Sequence, residues 1–304
     1  MKSPLILSRS RINAAAAGST QALLEFDRWG LPPAPGEDHQ AFAERLQKLA
    51  DALTELENQL RKHPQFEVAP GIKIAHARKI PPAICEEALQ QTQELYDVRP
   101  EWVPGFFANE SFGMLWGGCA LSDPESNLVL FIIRKIFSKK RCYLVYDRQE
   151  LMAHELTHAA HQALNELKYE EYFAYRTAHS PLRKLFGGCF VRKYDAWAFL
   201  LPILMLPVAQ MLNLMQIIAV NMSIFYLIAA IVPCGLAIRC LLTARTANRA
   251  RKFLLKKQIR KPDAVLFRLT AKEIKVLSAG KMPIIRDLRS QILAQYFPAA
   301  PENM

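Results

Sequence analysis

From Ala196 to Ile238 the chain carries no Lys, Arg, Asp, Glu or His, a run of 43 residues. One helix needs only about 20 residues to cross a hydrocarbon core about 30 Å thick. The run therefore predicts two spans with a tight turn near Asn213 to Asn221. Pro202, Pro207 and Pro233 fall inside it, and membrane helices tolerate proline. The competing expectation, a buried hairpin of a soluble protein, is weaker because core helices seldom run this long without a charge.

The flanks set an orientation. Arg176, Arg183, Lys184, Arg192 and Lys193 precede the hairpin with no acidic residue among them. Arg239, Arg245, Arg249, Arg251, Lys252, Lys256, Lys257, Arg260 and Lys261 follow it, and the turn is uncharged. The positive-inside rule then expects both ends, and both termini, in the cytoplasm. It also gives the net charge of +11 a use at an anionic bilayer surface, so no nucleic acid partner is expected. The opening residues M-K-S-P-L-I-L-S-R-S-R are broken by Ser and Arg, and we read no cleavable signal peptide there. The six cysteines form no C-x-x-C pair and suggest reduced thiols.

The rest of the chain divides around the hairpin. Residues 1–37 read as a weakly structured segment ending in G-L-P-P-A-P-G. Residues 38–63 read as an amphipathic helix, with Phe42, Leu46, Leu49, Leu53, Leu56 and Leu60 as a short seam that docks on the chain itself. Residues 64–194 form the expected catalytic core. Within it 112–121, 128–133 and 142–146 are rich in the aromatic and β-branched residues of strands. Residues 195–239 are the hairpin. Residues 240–304 read as a basic juxtamembrane and helical segment packing back on the core. There Thr270 and Glu273 spell a capping box, Gly280 a stop and Pro283 a further start. L-T-A-K-E-I-K-V-L-S-A-G-K there has the outline of a helix-turn-helix, but too few basic residues follow it to favour DNA.

Chemistry concentrates in H-E-L-T-H, residues 154–158. Histidines four apart share one helix face, about 5–6 Å apart at Cβ, and can converge on one Zn²⁺. Glu155 is turned about 100° from His154, poorly placed as a ligand but able to reach a water on the ion. Asp147 and Glu150 spell a capping box for this helix, and Met152, Leu156, Ala159, Ala163 and Leu167 its apolar stripe. Random placement of this composition predicts about 0.01 such motifs, so chance is a weak competitor.

This segment resembles the zincin metallopeptidases, which share H-E-x-x-H. Y-E-E-Y-F-A-Y-R-T-A (169–178) resembles the second helix of the glutamate-zincins, where E-x-x-A supplies the third ligand. The resemblance covers about residues 112–178, and among membrane zincins it is nearest to the HtpX kind. It implies an α+β zincin-like catalytic domain with a two-helix transmembrane hairpin. It also implies His154, His158 and Glu171 as zinc ligands and Glu155 as the catalytic base. Glu170 remains the alternative third ligand, reached only if the chain turns near Asn165 to Lys168. His161 shares the face of the two histidines but lies about 10.5 Å along the axis from His154, too far to share the ion. It is expected beside the metal or on the surface. Tyr169, Tyr172, Tyr175, Arg176 and His179 are candidate oxyanion donors, and the strand near Gly113 to Cys119 a candidate edge for an extended peptide.

The expected function is a membrane-anchored zinc endopeptidase acting on a protein or peptide substrate at the cytoplasmic face. The alternative is a non-catalytic membrane zinc-binding or sensor protein.

Overall fold

The structure is a computed structural model that describes residues 6–108, 116–192, 194–217 and 221–297. It is mixed α+β, with small sheets and two long apolar helices.

The first departure from the sequence reading is at the N-terminus. Residues 1–37, expected to be weakly structured, contain helices α1 (Arg9–Ala16) and α2 (Thr20–Arg28). Each is too short to be stable alone, and tertiary burial explains them. Ser19 caps α2 by accepting from Ala22 N–H, and Leu23 and Phe26 are fully buried. Phe26 meets Phe42 edge-on at 5.9 Å. Phe42 belongs to α3 (His39–Lys62), capped by Asp38, whose six seam residues are all buried within this chain.

A short hairpin, β1 (Phe66–Ala69) and β2 (Ile72–Ile74), follows, then α4 (Pro82–Tyr96). The main sheet has β3 (Gly105–Ala108), β4 (Gly118–Ser122) and β5 (Val129–Arg134) in the order β3-β5-β4. β5 is parallel to β3 and antiparallel to β4, leaving β4 at the edge. Residues 129–133 are buried, as their apolar run implies. The first part of the expected 112–121 strand lies outside the described residues. The expected strand at 142–146 is instead a tight hairpin of β6 (Cys142–Tyr143) and β7 (Tyr146–Asp147). Its turn needs Leu144 at φ 51°, which leaves Leu144 and Val145 exposed.

The histidine-bearing helix α5 (Arg148–His161) packs on β4, β5 and α4. α6 (Leu167–Tyr175) returns beside it, followed by the short α7 (Pro181–Phe186). The apolar hairpin is α8 (Asp195–Leu214) and α9 (Met222–Lys256), packed on each other, with Asn221 capping α9 through Ser223 N–H. Both helices are long and apolar enough to cross a membrane. Only 6% of each apolar window is buried within the molecule, so they are not the core of a globular fold.

The expected break at residue 239 is absent, because α9 runs on through the basic segment to Lys256. Its last turns bury Ala247, Ala250 and Leu254 against α6, α10 (Pro262–Phe267) and α11 (Ala271–Ser278). Thr270 and Glu273 form the capping box, and Gly280 follows α11 with φ +77°. Pro283 does not open the last helix, which is α12 (Arg289–Ala294), six residues later. Arg289 instead spends its guanidinium on Asp287 and Glu273, fixing that helix start.

Candidate metal centre

Asp147 caps α5 by accepting from Gln149 and Glu150 N–H. Glu150 does not complete the box. It is buried and reaches across to Arg183 and to His179, whose Nδ1 lies 2.6 Å from it. This ties α5 to the segment after α6 and removes His179 from the oxyanion candidates. Met152, Leu156 and Ala159 are buried, as the stripe implies. Leu167 is not part of it: the helix ends at His161, and Leu167 opens α6 exposed to solvent.

The return from α5 to α6 takes few residues. A 3-10 turn over Gln162–Leu164 ends on Asn165, at φ 49° and ψ 42°. Asn is among the few side chains that tolerate this left-handed conformation. The turn that no Gly or Pro announced is therefore made by Asn165, and it brings both glutamates of α6 to the histidines.

The two glutamates divide the work. His154 and His158 aim their Nε2 atoms at each other, 3.0 Å apart. The Glu171 carboxylate is 3.8 Å from His154 Nε2 and 3.6 Å from His158 Nε2. His154, His158 and Glu171 thus form a group able to hold a metal ion. The spacing of the donor atoms suits a tetrahedral ion. Ligand atoms around a tetrahedral ion with bonds of about 2.0–2.1 Å lie about 3.4 Å apart, within the spread of these separations. Glu170 points to the other side of His158 and accepts from Nδ1 at 2.9 Å. A carboxylate on the remote ring nitrogen fixes the tautomer that leaves Nε2 free to ligate. Glu170, the alternative ligand, is thus bonded to the ring nitrogen of His158 that faces away from this group.

Charge states follow the same geometry. Burial, with the neighbouring His158 and Arg183, pushes His154 down to about 3, so its ring is neutral near pH 7 and able to ligate. Burial also opposes a charge on His158, but the Glu170 hydrogen bond and the surrounding carboxylates outweigh it and raise its pKa. The His158 hydrogen bond holds Glu170 below the usual carboxylate range. Burial, reinforced by Glu170, raises Glu171. Glu155 is 8% exposed, and burial lifts it to about 7, helped by Glu171 and opposed by His158 and a hydrogen bond from the Ala120 backbone on β4. A carboxylate poised near neutrality can both take and return a proton.

Of the tyrosines, Tyr175 adjoins the centre, its ring 4.6 Å from that of His154 and at 72° to it. Gly187 lies so close that a Cβ there would fall 2.0 Å from the Tyr175 ring, and one on Gly188 would fall 3.3 Å from Glu171. The glycines were not singled out in the sequence, yet at Gly187 a side chain would displace the Tyr175 ring, and at Gly188 it would crowd Glu171. Tyr169, Tyr172 and Arg176 belong elsewhere: the tyrosines to the aromatic cluster around Phe173, Arg176 to an ion pair with Asp263. His161 is not a surface residue. It is 1% exposed between Phe173 and Phe267, with both ring nitrogens unpartnered, and burial pushes it down to about 4.

No protein-family model, curated protein or solved structure matches this chain.

Proposed function

We propose that the protein is a membrane-anchored, zinc-dependent endopeptidase acting at the cytoplasmic face. The observation that carries the reading is the buried carboxylate of Glu155, set between two histidines that share a third, acidic partner. A site that only stored or sensed a metal would have no use for a base there.

Zinc held by His154, His158 and Glu171 would supply Lewis acidity toward a carbonyl and acidify a water. Glu155 takes the proton of the attacking water and delivers it to the leaving nitrogen. Glu170 holds the His158 ring through Nδ1 throughout. Tyr175 is the side chain best situated to donate to a developing oxyanion. β4 is an edge strand whose Ala120 already bonds Glu155, so an extended substrate pairing with that edge would lie alongside the base. The uncharged hairpin and its basic flanks support membrane insertion with the centre on the cytoplasmic side.

The test is proteolysis of a generic unfolded protein by wild type and Glu155→Gln, with metal content measured in parallel. The variant should keep one zinc per chain and lose about 10²- to 10⁴-fold in rate. Equal rates would overturn the peptidase and leave a non-catalytic zinc protein.

A further inference from the structure

A cavity of about 300 Å³ lies at the foot of the hairpin, between the first turns of α6, α7 with the turn that follows it, and the side of α9. Lys168, Lys184, Arg192 and Arg239 line it, and no acidic side chain among the described residues does. Lys168, Lys184 and Arg192 have no ion pair among the described residues. Arg239 pairs with Asp195 at 2.6 Å, yet its Nε is buried without a partner. The remaining wall is apolar, from Leu167, Leu185 and Val191.

The position of this cavity along the hairpin is the second observation. Asp195 and Arg239 are the charged residues that bracket the uncharged run, and they bind each other across the base of the two helices. Phe190, Tyr194 and Trp197, at 45%, 66% and 59% exposure, stand around the same end. Exposed aromatic residues at the end of an apolar span mark the headgroup layer of a bilayer. Leu241 and Leu242, beside the cavity-lining Cys240 and Thr243, are exposed as well. A basic cavity at this depth, with an apolar wall and an apolar approach, suits an amphiphile with a negative end.

We propose that this cavity binds the phosphate-bearing headgroup of one anionic phospholipid, whose acyl chains lie along the exposed apolar surface of the hairpin. Free phosphate matches Lys168, Lys184 and Arg192 but leaves the apolar wall and approach unused. A zwitterionic lipid brings its own cation into a site with no acidic lining. The inference rests on the membrane reading of the hairpin, and resistance of the full chain to alkaline extraction tests that reading by itself.

The experiment is native mass spectrometry of the detergent-solubilised full chain titrated with phosphatidylglycerol or phosphatidylcholine of the same acyl composition, with inorganic phosphate as competitor. One phosphatidylglycerol should bind saturably, about tenfold or more tighter than phosphatidylcholine. Replacing Lys168, Lys184 and Arg192 together by Gln should remove that preference. The same change at Lys252, Lys256 and Lys257, exposed at and just past the end of α9, should leave it intact. Lys184→Glu alone, which alters one exposed side chain, should weaken phosphatidylglycerol binding should the triple variant fail to fold. Equal affinity for the two lipids, equal loss in both triple variants, or full displacement by millimolar phosphate would each overturn the proposal. A chain washed off by alkali overturns the membrane reading with it. An integrated chain without headgroup preference overturns this inference alone.

Discussion

At the scale of single residues, the adjacent glutamates of α6 make the sharpest contrast. Glu171 faces both Nε2 atoms, whereas Glu170 holds only the far nitrogen of His158. Glu171→Ala should therefore strip the metal, while Glu170→Gln should weaken its affinity about 10- to 100-fold and leave a measurable site. Competition titration against a chromogenic zinc chelator separates the two. His161 makes a second prediction. Its pKa is about 4 folded against an ordinary 6.5, so between those values the unfolded chain binds the extra proton. Stability is therefore lost as pH falls from 6.5 toward 4. His161→Phe, placed between Phe173 and Phe267, should remove about 2 kcal/mol of that loss at pH 5. Urea melts of metal-free protein at pH 5 and 7.5 would show it as a gap between variant and wild type that opens only at the lower pH.

At the scale of elements, the decisive piece is the turn between α5 and α6. Asn165 in the left-handed region delivers both glutamates within 13 residues of His158. Asn165→Gly should be nearly neutral, and Asn165→Val should cost about 1–2 kcal/mol and loosen metal binding, measured by thermal melts with and without zinc. This turn also marks the limit of what the sequence makes legible. H-E-L-T-H, the α3 seam, the Thr270 box and the uncharged run could be read because each signal is complete within its own segment. α1 and α2 could not, since Leu23 and Phe26 identify a helix only once Phe42 is there to meet them. The β6–β7 hairpin was hidden because Leu144, not a Gly, takes the positive φ. The roles of Glu170 and Glu171 needed the direction in which α6 comes back, which spacing alone leaves open.

At the scale of the whole molecule, the two ends of the chain are tied by a buried ion pair. Arg268, 1% exposed, donates to both oxygens of Asp27 at 2.7–3.0 Å and to the Tyr96 and Ala264 carbonyls. Asp27→Asn would leave an interior guanidinium without its counter-charge and should destabilise the fold by about 3–5 kcal/mol. Chemical denaturation would register it, and a change below about 1 kcal/mol would show that the pair is dispensable.

The continuous helix from Met222 to Lys256, with Pro233 in its apolar half, spans about 52 Å at 1.5 Å per residue, well beyond one hydrocarbon thickness. Its far turns press on α6, the element that carries Glu171. On the proposed function, bilayer and reaction centre therefore share one helix, which no proline interrupts between Arg239 and the turns that press on α6. Such a mount fixes altitude. A bond is within reach when it hangs at the right height above the bilayer, and selectivity can come from how far a substrate protrudes as much as from which residues it presents.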